Sequence, residues 1–171
     1  MNVKHLILSG IALACLASCS QTLSPTPPET VTDPKMIQLY NKAIAGDINA
    51  LGLIGNAYYT GSHGFPKDDR ACTNAFEMAA KRGSGLACRL TGEHYEKGIG
   101  RLASDSTARE YYQRAISLGD TEARQKLKAL ESRLQAEEAA RRAKAVSDWN
   151  RAASEYNRIM GGSSPYVAPY M

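Results

Sequence analysis

The 171-residue sequence lacks both the concentrated charge and the long apolar segment that identify two common functional classes. Lys and Arg number 21 and Asp and Glu 17, an excess spread too thinly to indicate a nucleic-acid-binding face. The apolar run of residues 6–16 is too short to cross a bilayer. We therefore expect no nucleic-acid partner and no membrane-spanning helix.

Sequence motifs of catalysis are also missing. There is no nucleophile elbow, phosphate loop or dinucleotide fingerprint, and Gly83-Ser84-Gly85 is interpreted as a turn between helices. His63 lies in a predicted loop, and His94 has no second histidine four residues later, so the helical zinc-protease pattern is absent. We expect no enzyme activity, no catalytic residue, no metal and no cofactor.

The amino terminus has the layout of a secretory signal peptide, with a charged start, the apolar run and small residues at the end. The Leu-Ala-Ser-Cys sequence of residues 16–19 resembles the lipobox of bacterial lipoproteins, whose cysteine is diacylated and becomes the new N-terminus. This resemblance implies a lipoprotein signal peptide over residues 1–18 and lipidation at Cys19, with the lipid bilayer as a partner. The alternative is a plain cleaved signal in which Cys19 is incidental.

The resemblance to a lipobox also implies that the protein is located in the bacterial cell envelope. Ser20 after the lipidated cysteine favours the outer membrane, with the protein facing the periplasm. Residues 19–33 then form a tether, because they contain three prolines and few large apolar side chains. At roughly 3 Å per residue an extended tether would lift the domain about 40 Å from the lipid.

An internal repeat with a spacing of 36 or 37 residues dominates the middle of the chain. The segment 46–50 recurs at 83–87 and at 119–123, each time opening with glycine and closing with alanine. Apolar residues at three- and four-residue spacing predict helices over 47–60 and 69–82. Each repeat unit is therefore predicted to be a pair of helices.

Helix-end signals support this division. Asp33 followed by Pro34 predicts the start of an N-terminal capping helix, and Asp69 and Asp105 are predicted N-caps. Glycines predicted in the left-handed conformation after the second helices are Gly83 and Gly119.

Gly55 and Gly92 fall inside the first helices, where glycine costs about 1 kcal/mol relative to alanine, so close packing is expected there. Their predicted neighbours are Ala79, Ala80 and Ala115.

The repeated pattern, Ala-x-x-x-x-Gly-x-x-Tyr-x-x-Gly followed by aromatic-x-x-Ala-x-x-x-Gly, resembles the Sel-one-like repeat, a relative of the tetratricopeptide repeat. The resemblance covers about residues 46–123. It implies an all-α fold, a short solenoid of helix-turn-helix repeats over residues 34–130, and a concave surface that binds a protein or peptide. By helical phase the candidate concave face consists of Asn56, Tyr59, Arg89, Glu93 and Glu96.

Two cysteines, Cys72 and Cys88, remain after the signal peptide. If the turn at 83–84 joins antiparallel helices, Cys88 lies opposite Ala80, about 12 Å along the axis from Cys72. A disulfide needs α-carbons within about 7 Å, so two buried thiols are favoured over an intrachain bridge.

A long helix is predicted after the repeats. Residues near 121–130 should close the solenoid through Ala123, Leu127 and Leu130, and residues 131–160 form an extended amphipathic helix. Its charged part, 131–144, is predicted to be a solvated stalk. An apolar stripe follows at Val146, Trp149, Ala153, Tyr156 and Met160.

The stripe has three interpretations: it folds back on the solenoid, pairs with its own copy, or binds a partner protein. The end of the chain, 161–171, is expected to be a disordered tail or a short recognition segment. The leading functional hypothesis is an interaction adaptor or scaffold anchored in the envelope. The alternatives are a pilotin-like chaperone for secretin assembly and an envelope hydrolase related to cysteine-rich penicillin-binding repeat proteins.

Overall fold

The computed structural model describes residues 23–162, and every regular element in that range is a helix. The helices are α1 (Pro34–Ala45), α2 (Ile48–Thr60), α3 (Asp69–Lys81), α4 (Gly85–Lys97), α5 (Asp105–Ser117) and α6 (Glu122–Met160). The predicted all-α class is confirmed. None of these helices is long and apolar enough to cross a membrane. Residues 1–18, Cys19 and the tail from 163 onward lie outside the described residues.

Two helix starts differ from the sequence prediction by one residue. Asp68, not Asp69, is the N-cap of α3, and its carboxylate accepts from the backbone amides of residues 70 and 71 at 2.9 Å. Ser104, not Asp105, is the N-cap of α5. Asp69 and Asp105 instead occupy the first turn, where a negative charge interacts favourably with the helix dipole. At the start of α1 the prediction is confirmed, since Asp33 caps the amide of Lys35.

Consecutive helices pack as two antiparallel hairpins, α2 with α3 and α4 with α5. Gly55 and Gly92 allow these helices to approach closely, as predicted, but their neighbours are aromatic rings and not the alanines. A Cβ on Gly55 would lie 2.6 Å from Phe76 Cε1, and one on Gly92 would lie 2.7 Å from Tyr112 Cε1. The missing side chain of each glycine thus makes room for a buried ring on the second helix.

The ends of the solenoid close as the sequence predicts. Tyr40 and Ala43 of α1 are fully buried at one end, while Ala123 and Leu130 of α6 are fully buried at the other. Gly83 and Gly119 adopt φ values of 93° and 89° after the second helices. These left-handed turns let each hairpin lead directly into the next.

The segment of residues 23–33 packs against the solenoid, whereas we expected it to extend as part of a free tether. Leu23 and Val31 are buried in the main core, and these are the two large apolar side chains in the segment. Ser24 carbonyl accepts from the Tyr40 hydroxyl at 2.9 Å, and the Thr30 hydroxyl donates to the Gly64 carbonyl at 2.6 Å. Two apolar anchors were enough to dock a proline-rich segment.

A buried ion pair fixes the loop between α4 and α5. Glu77 of α3 is fully buried and accepts hydrogen bonds from the Tyr95 hydroxyl at 2.8 Å and from the Arg101 guanidinium at 3.1 and 3.3 Å. Arg101 also donates to the Asn74 side chain. The pair holds the loop against α3, although the residues are 24 positions apart in the sequence.

Cys72 and Cys88 are free and fully buried, as favoured by the predicted offset between them. The Cys88 thiol lies 3.9 Å from the Ala80 carbonyl, which confirms the predicted pairing of α3 with α4. Burial raises the pKa of both thiols, that of Cys72 to about 12. Both cysteines therefore act as small apolar core residues.

Helix α6 runs without interruption for 39 residues. Its first turns pack on α5, where Leu127 and Leu134 flank the buried Leu130. Residues 131–144 are mostly exposed and carry ion pairs at four-residue spacing, as predicted for a solvated stalk. The stripe that follows belongs to neither buried cluster of the described structure, so α6 carries it away from the solenoid and not back onto it.

Candidate functional site

A groove of about 690 Å³ lies between the first helices of the two repeats, α2 and α4. Its floor is formed by Phe76 and Ala79 of α3 and by Ala87 of α4, all buried in the core. The volume is in the range of cavities that hold several side chains of a ligand. The groove is therefore built by the hairpin packing itself, since α3 supplies the floor on which both walls stand.

The α2 wall of the groove carries no charged residue, which distinguishes α2 from the other helices of the described range. Leu53 is 57% exposed, and Ile48 and Tyr59 on the same wall are also exposed. Leu86 and Leu90 face them from α4. Apolar side chains gathered in one surface depression indicate a site that another molecule covers.

Polar groups lie along the rim and at one end of the groove. Asn49 and Asn56 belong to α2, and Glu93 and Lys97 belong to α4. Glu93 is mostly buried. Its carboxylate forms ion pairs with Arg89 and with lysines on α4 and α6, whose side chains surround it. These groups can fix the orientation of a ligand whose main contacts are apolar.

His94 lies at the Ile99 end of the groove and is almost fully buried. Its Nδ1 is 2.6 Å from the Thr73 hydroxyl, which is also 2.9 Å from each of two backbone carbonyls, those of Asp69 and Ile99. A hydroxyl has one hydrogen and a carbonyl can only accept, so we assign the proton to Nδ1, which donates to Thr73. Burial lowers the pKa of His94, which keeps the ring neutral and leaves Nε2 unprotonated.

Three of the five predicted concave-face residues line the groove, namely Asn56, Tyr59 and Glu93. The exposed ring of Tyr59 lies 6.0 Å from the His94 ring, measured between centroids. Helical phase thus selected three residues that line this groove. Whether they bind a ligand remains a prediction.

The other two predicted residues have structural contacts outside the groove. Arg89 bridges repeats, because its guanidinium lies 3.1 Å from Asp120 Oδ2 and pairs with Glu93 and with Glu122 of α6. Glu96 accepts a hydrogen bond from the buried Tyr112 hydroxyl at 2.7 Å. Both side chains tie α4 to its neighbours, a role that helical phase alone does not distinguish from exposure.

Sequence reasoning missed the aliphatic residues of the walls and the end position of His94. The available signal was the absence of charge over residues 48–60, together with leucines at 53 and 86 that do not fit the buried phase of their helices. In the described residues no group of three or more His, Cys, Asp or Glu side chains could hold a metal ion. The predicted lipidation site, Cys19, lies outside this range.

The candidate partner stripe of α6 remains substantially exposed. Val146 and Met160 are exposed, as is Ile159 at the edge of the stripe, and Met160 reaches 64%. Trp149, Ala153 and Tyr156 are half-buried on the same helix. The chain thus presents two apolar surfaces, the groove and the stripe.

Comparison with solved structures identifies a similar protein. The crystal structure of a Sel1 repeat protein from Oxalobacter formigenes matches with a TM-score of 0.51 and 32% sequence identity, over 53% of this chain and 68% of that chain. No family model matches the chain. No curated protein matches it either.

Proposed function

Because this chain belongs to the Sel1 repeat proteins, we propose that it is a protein-interaction module that binds an apolar segment of a partner protein in the groove between α2 and α4. The observation that carries this proposal is the uncharged α2 wall, whose exposed Ile48, Leu53 and Tyr59 face the groove. An apolar surface of this kind gains stability when another apolar surface removes it from water.

The partner segment is an amphipathic helix or a short extended peptide with several large apolar side chains. Leu53 and Leu86 provide contact on opposite walls, and the rim amides of Asn49 and Asn56 provide hydrogen bonds. At the Ile99 end, unprotonated Nε2 of His94 accepts a hydrogen bond from a donor on the segment. The apolar contacts supply affinity, and the polar contacts fix the position of the segment along the groove.

We test the groove in intact cells by chemical crosslinking and mass spectrometry. Replacing Leu53 or Leu86 with aspartate places a charge in the groove and should abolish the crosslinked partner. The control is Leu102→Asp, since Leu102 is 91% exposed and does not line the groove. Retention of the partner by both groove variants would contradict the proposal.

The proposed module is anchored to the envelope through lipid on Cys19 and faces the periplasm. The support is the Leu-Ala-Ser-Cys sequence at residues 16–19 after an apolar run. We expect Cys19→Ala to abolish incorporation of radiolabelled palmitate and to move the protein from the membrane fraction to the soluble fraction. A variant that keeps both label and membrane association would refute the anchor. The assembly-chaperone and hydrolase alternatives stay predictions.

A further inference from the structure

We propose that the groove is occupied by the apolar stripe of α6 from a second copy of the chain, so that two copies exchange their long helices. This inference rests on the proposed function, because it names the occupant of the same groove. The stripe consists of Val146, Trp149, Ala153, Tyr156 and Met160.

The distribution of exposed apolar side chains is the first argument. Nine large apolar side chains are exposed in residues 23–162. Four of them line the groove, and three more, Val146, Ile159 and Met160, lie in the outer part of α6. Two exposed apolar surfaces that occur together in every copy can cover each other.

The reach of α6 is the second argument, because it excludes contact within one chain. The groove wall α4 begins beside the start of α6, since a Cβ on Gly85 would lie 3.4 Å from the Asp120 Cβ. Trp149 is 27 residues beyond the first residue of α6, about 40 Å along a helix. Long helices bend only gently without a proline or a similar break, so the stripe cannot return to its own groove.

The dimensions of the two surfaces agree. The stripe from residue 146 to 160 is about 21 Å long at 1.5 Å per residue. Helix α2, which forms one wall, has 13 residues and is about 20 Å long. One face of the stripe can therefore cover the exposed length of the groove, with Trp149 placed against Leu53 and Leu86.

Reciprocal exchange also closes on itself. If each stripe enters the other copy's groove, the two α6 helices run antiparallel about a two-fold axis, and both grooves and both stripes are covered within the pair. The axis falls near the middle of α6, where Glu137 and Glu138 precede Arg141 and Arg142. In an antiparallel pair this order places the acidic residues of one copy beside the basic residues of the other, so the charges are self-complementary.

The test measures the mass of the full-length lipoprotein in detergent by analytical ultracentrifugation. The natural chain should form a dimer. Trp149→Ala removes the main side chain of the stripe, and Leu53→Asp charges the groove, so each should weaken the dimer at least tenfold. Leu102→Asp should leave it unchanged. All three variants should fold, because these residues lie outside the buried core, and circular dichroism checks this.

Mixing the two defective variants separates this arrangement from simple pairing of stripes. The Leu53→Asp chain keeps its stripe and the Trp149→Ala chain keeps its groove, so the mixture should form a heterodimer with one intact contact. If Leu53→Asp dimerises normally while Trp149→Ala does not, the stripes pair with each other and the proposal is wrong. A monomeric natural chain would also overturn it.

The proposed function can survive that failure. A photo-crosslinking amino acid introduced at Leu53 should capture residues 146–160 of another copy. Capture of a different protein overturns the exchange and retains the interaction module. Absence of any captured protein contradicts both.

Discussion

At the scale of single residues, the spacing within each hairpin depends on two glycines. A Cβ on Gly92 would meet Tyr112, whose buried ring is held by its hydrogen bond to Glu96, and the Ala108 carbonyl 3.3 Å away. Neither group is the loose end of a flexible side chain. Glycine is therefore the residue that fits at this helix position, despite its poor intrinsic propensity.

We predict that Gly92→Ala destabilises the protein by about 1–3 kcal/mol, because overpacking exceeds the gain in helix propensity. Gly52→Ala is the matched control, since nothing lies within 4 Å of a Cβ at that position. It should stabilise the fold by up to about 1 kcal/mol. Urea unfolding measures the change in the free energy of unfolding for both variants. A change of the same sign for the two substitutions would refute the packing explanation.

His94 makes the stability depend on pH. Burial lowers its pKa in the folded chain, while in the unfolded chain the pKa is about 6.5, so the unfolded state binds more protons as the pH falls through that value. Charged groups that face the ring are Asp69 and Glu77 of α3 and Glu93 and Lys97 of α4, and the carboxylates only partly offset burial. Folding stability should therefore decrease between pH 7.5 and pH 5.5.

We predict that His94→Gln reduces this pH dependence, even if its stability at pH 7.5 is lower. The control is His63→Gln, because His63 is exposed in the loop after α2 and should leave the slope unchanged. Thermal unfolding at intervals of half a pH unit gives the slopes. Equal slopes in the natural chain and the His94 variant would contradict the assignment.

At the scale of elements, helix ends and helix pairing followed from the sequence because their signals are local or repeated. Asp33 before Pro34 and the glycines at 83 and 119 gave the boundaries directly. The Glu77–Arg101 pair had no such signal, since it joins a helix interior to a loop of the next repeat. The docking of Leu23 and Val31 was missed for a similar reason, because the average composition of residues 19–33 concealed two apolar anchors.

We predict that Arg101→Met costs about 3–5 kcal/mol, because it leaves the fully buried Glu77 carboxylate without its cation. Adding Glu77→Leu should recover most of that loss, since an apolar pair of similar size avoids the burial of charge. Denaturant unfolding of the single and double variants tests the coupling. A double variant as unstable as Arg101→Met alone would show that the loop is held by other contacts.

At the scale of the whole molecule, the outer part of α6 contributes little to the free energy of unfolding of the solenoid. The last side chain of α6 packed on the described core is Leu134, and the ion pairs beyond residue 138 are exposed and local. The groove followed only in part from the sequence. Helical phase found Asn56 and Tyr59, but the cavity depends on how α2 and α4 stand on Phe76 and Ala79.

We predict that a chain ending at Ala140 unfolds at the same temperature as the full chain in dilute solution, within about 0.5 kcal/mol of stability. The same truncation should abolish the exchanged dimer. Calorimetry and sedimentation provide the two readings. A large loss of stability at concentrations where the protein is monomeric would show that the outer helix supports its own solenoid.

The docked N-terminal segment changes what the molecule can reach. Leu23 is held in the core, and only four residue steps separate it from Cys19, about 14 Å of chain at most. If lipid anchors Cys19, the solenoid stays within one domain diameter of the bilayer. It can then meet only partners that lie close to the membrane surface. Helix α6, about 57 Å long, is then the part of the molecule that can reach furthest from the bilayer. Confinement of both copies to one membrane raises their local concentration, which favours the exchanged pair further.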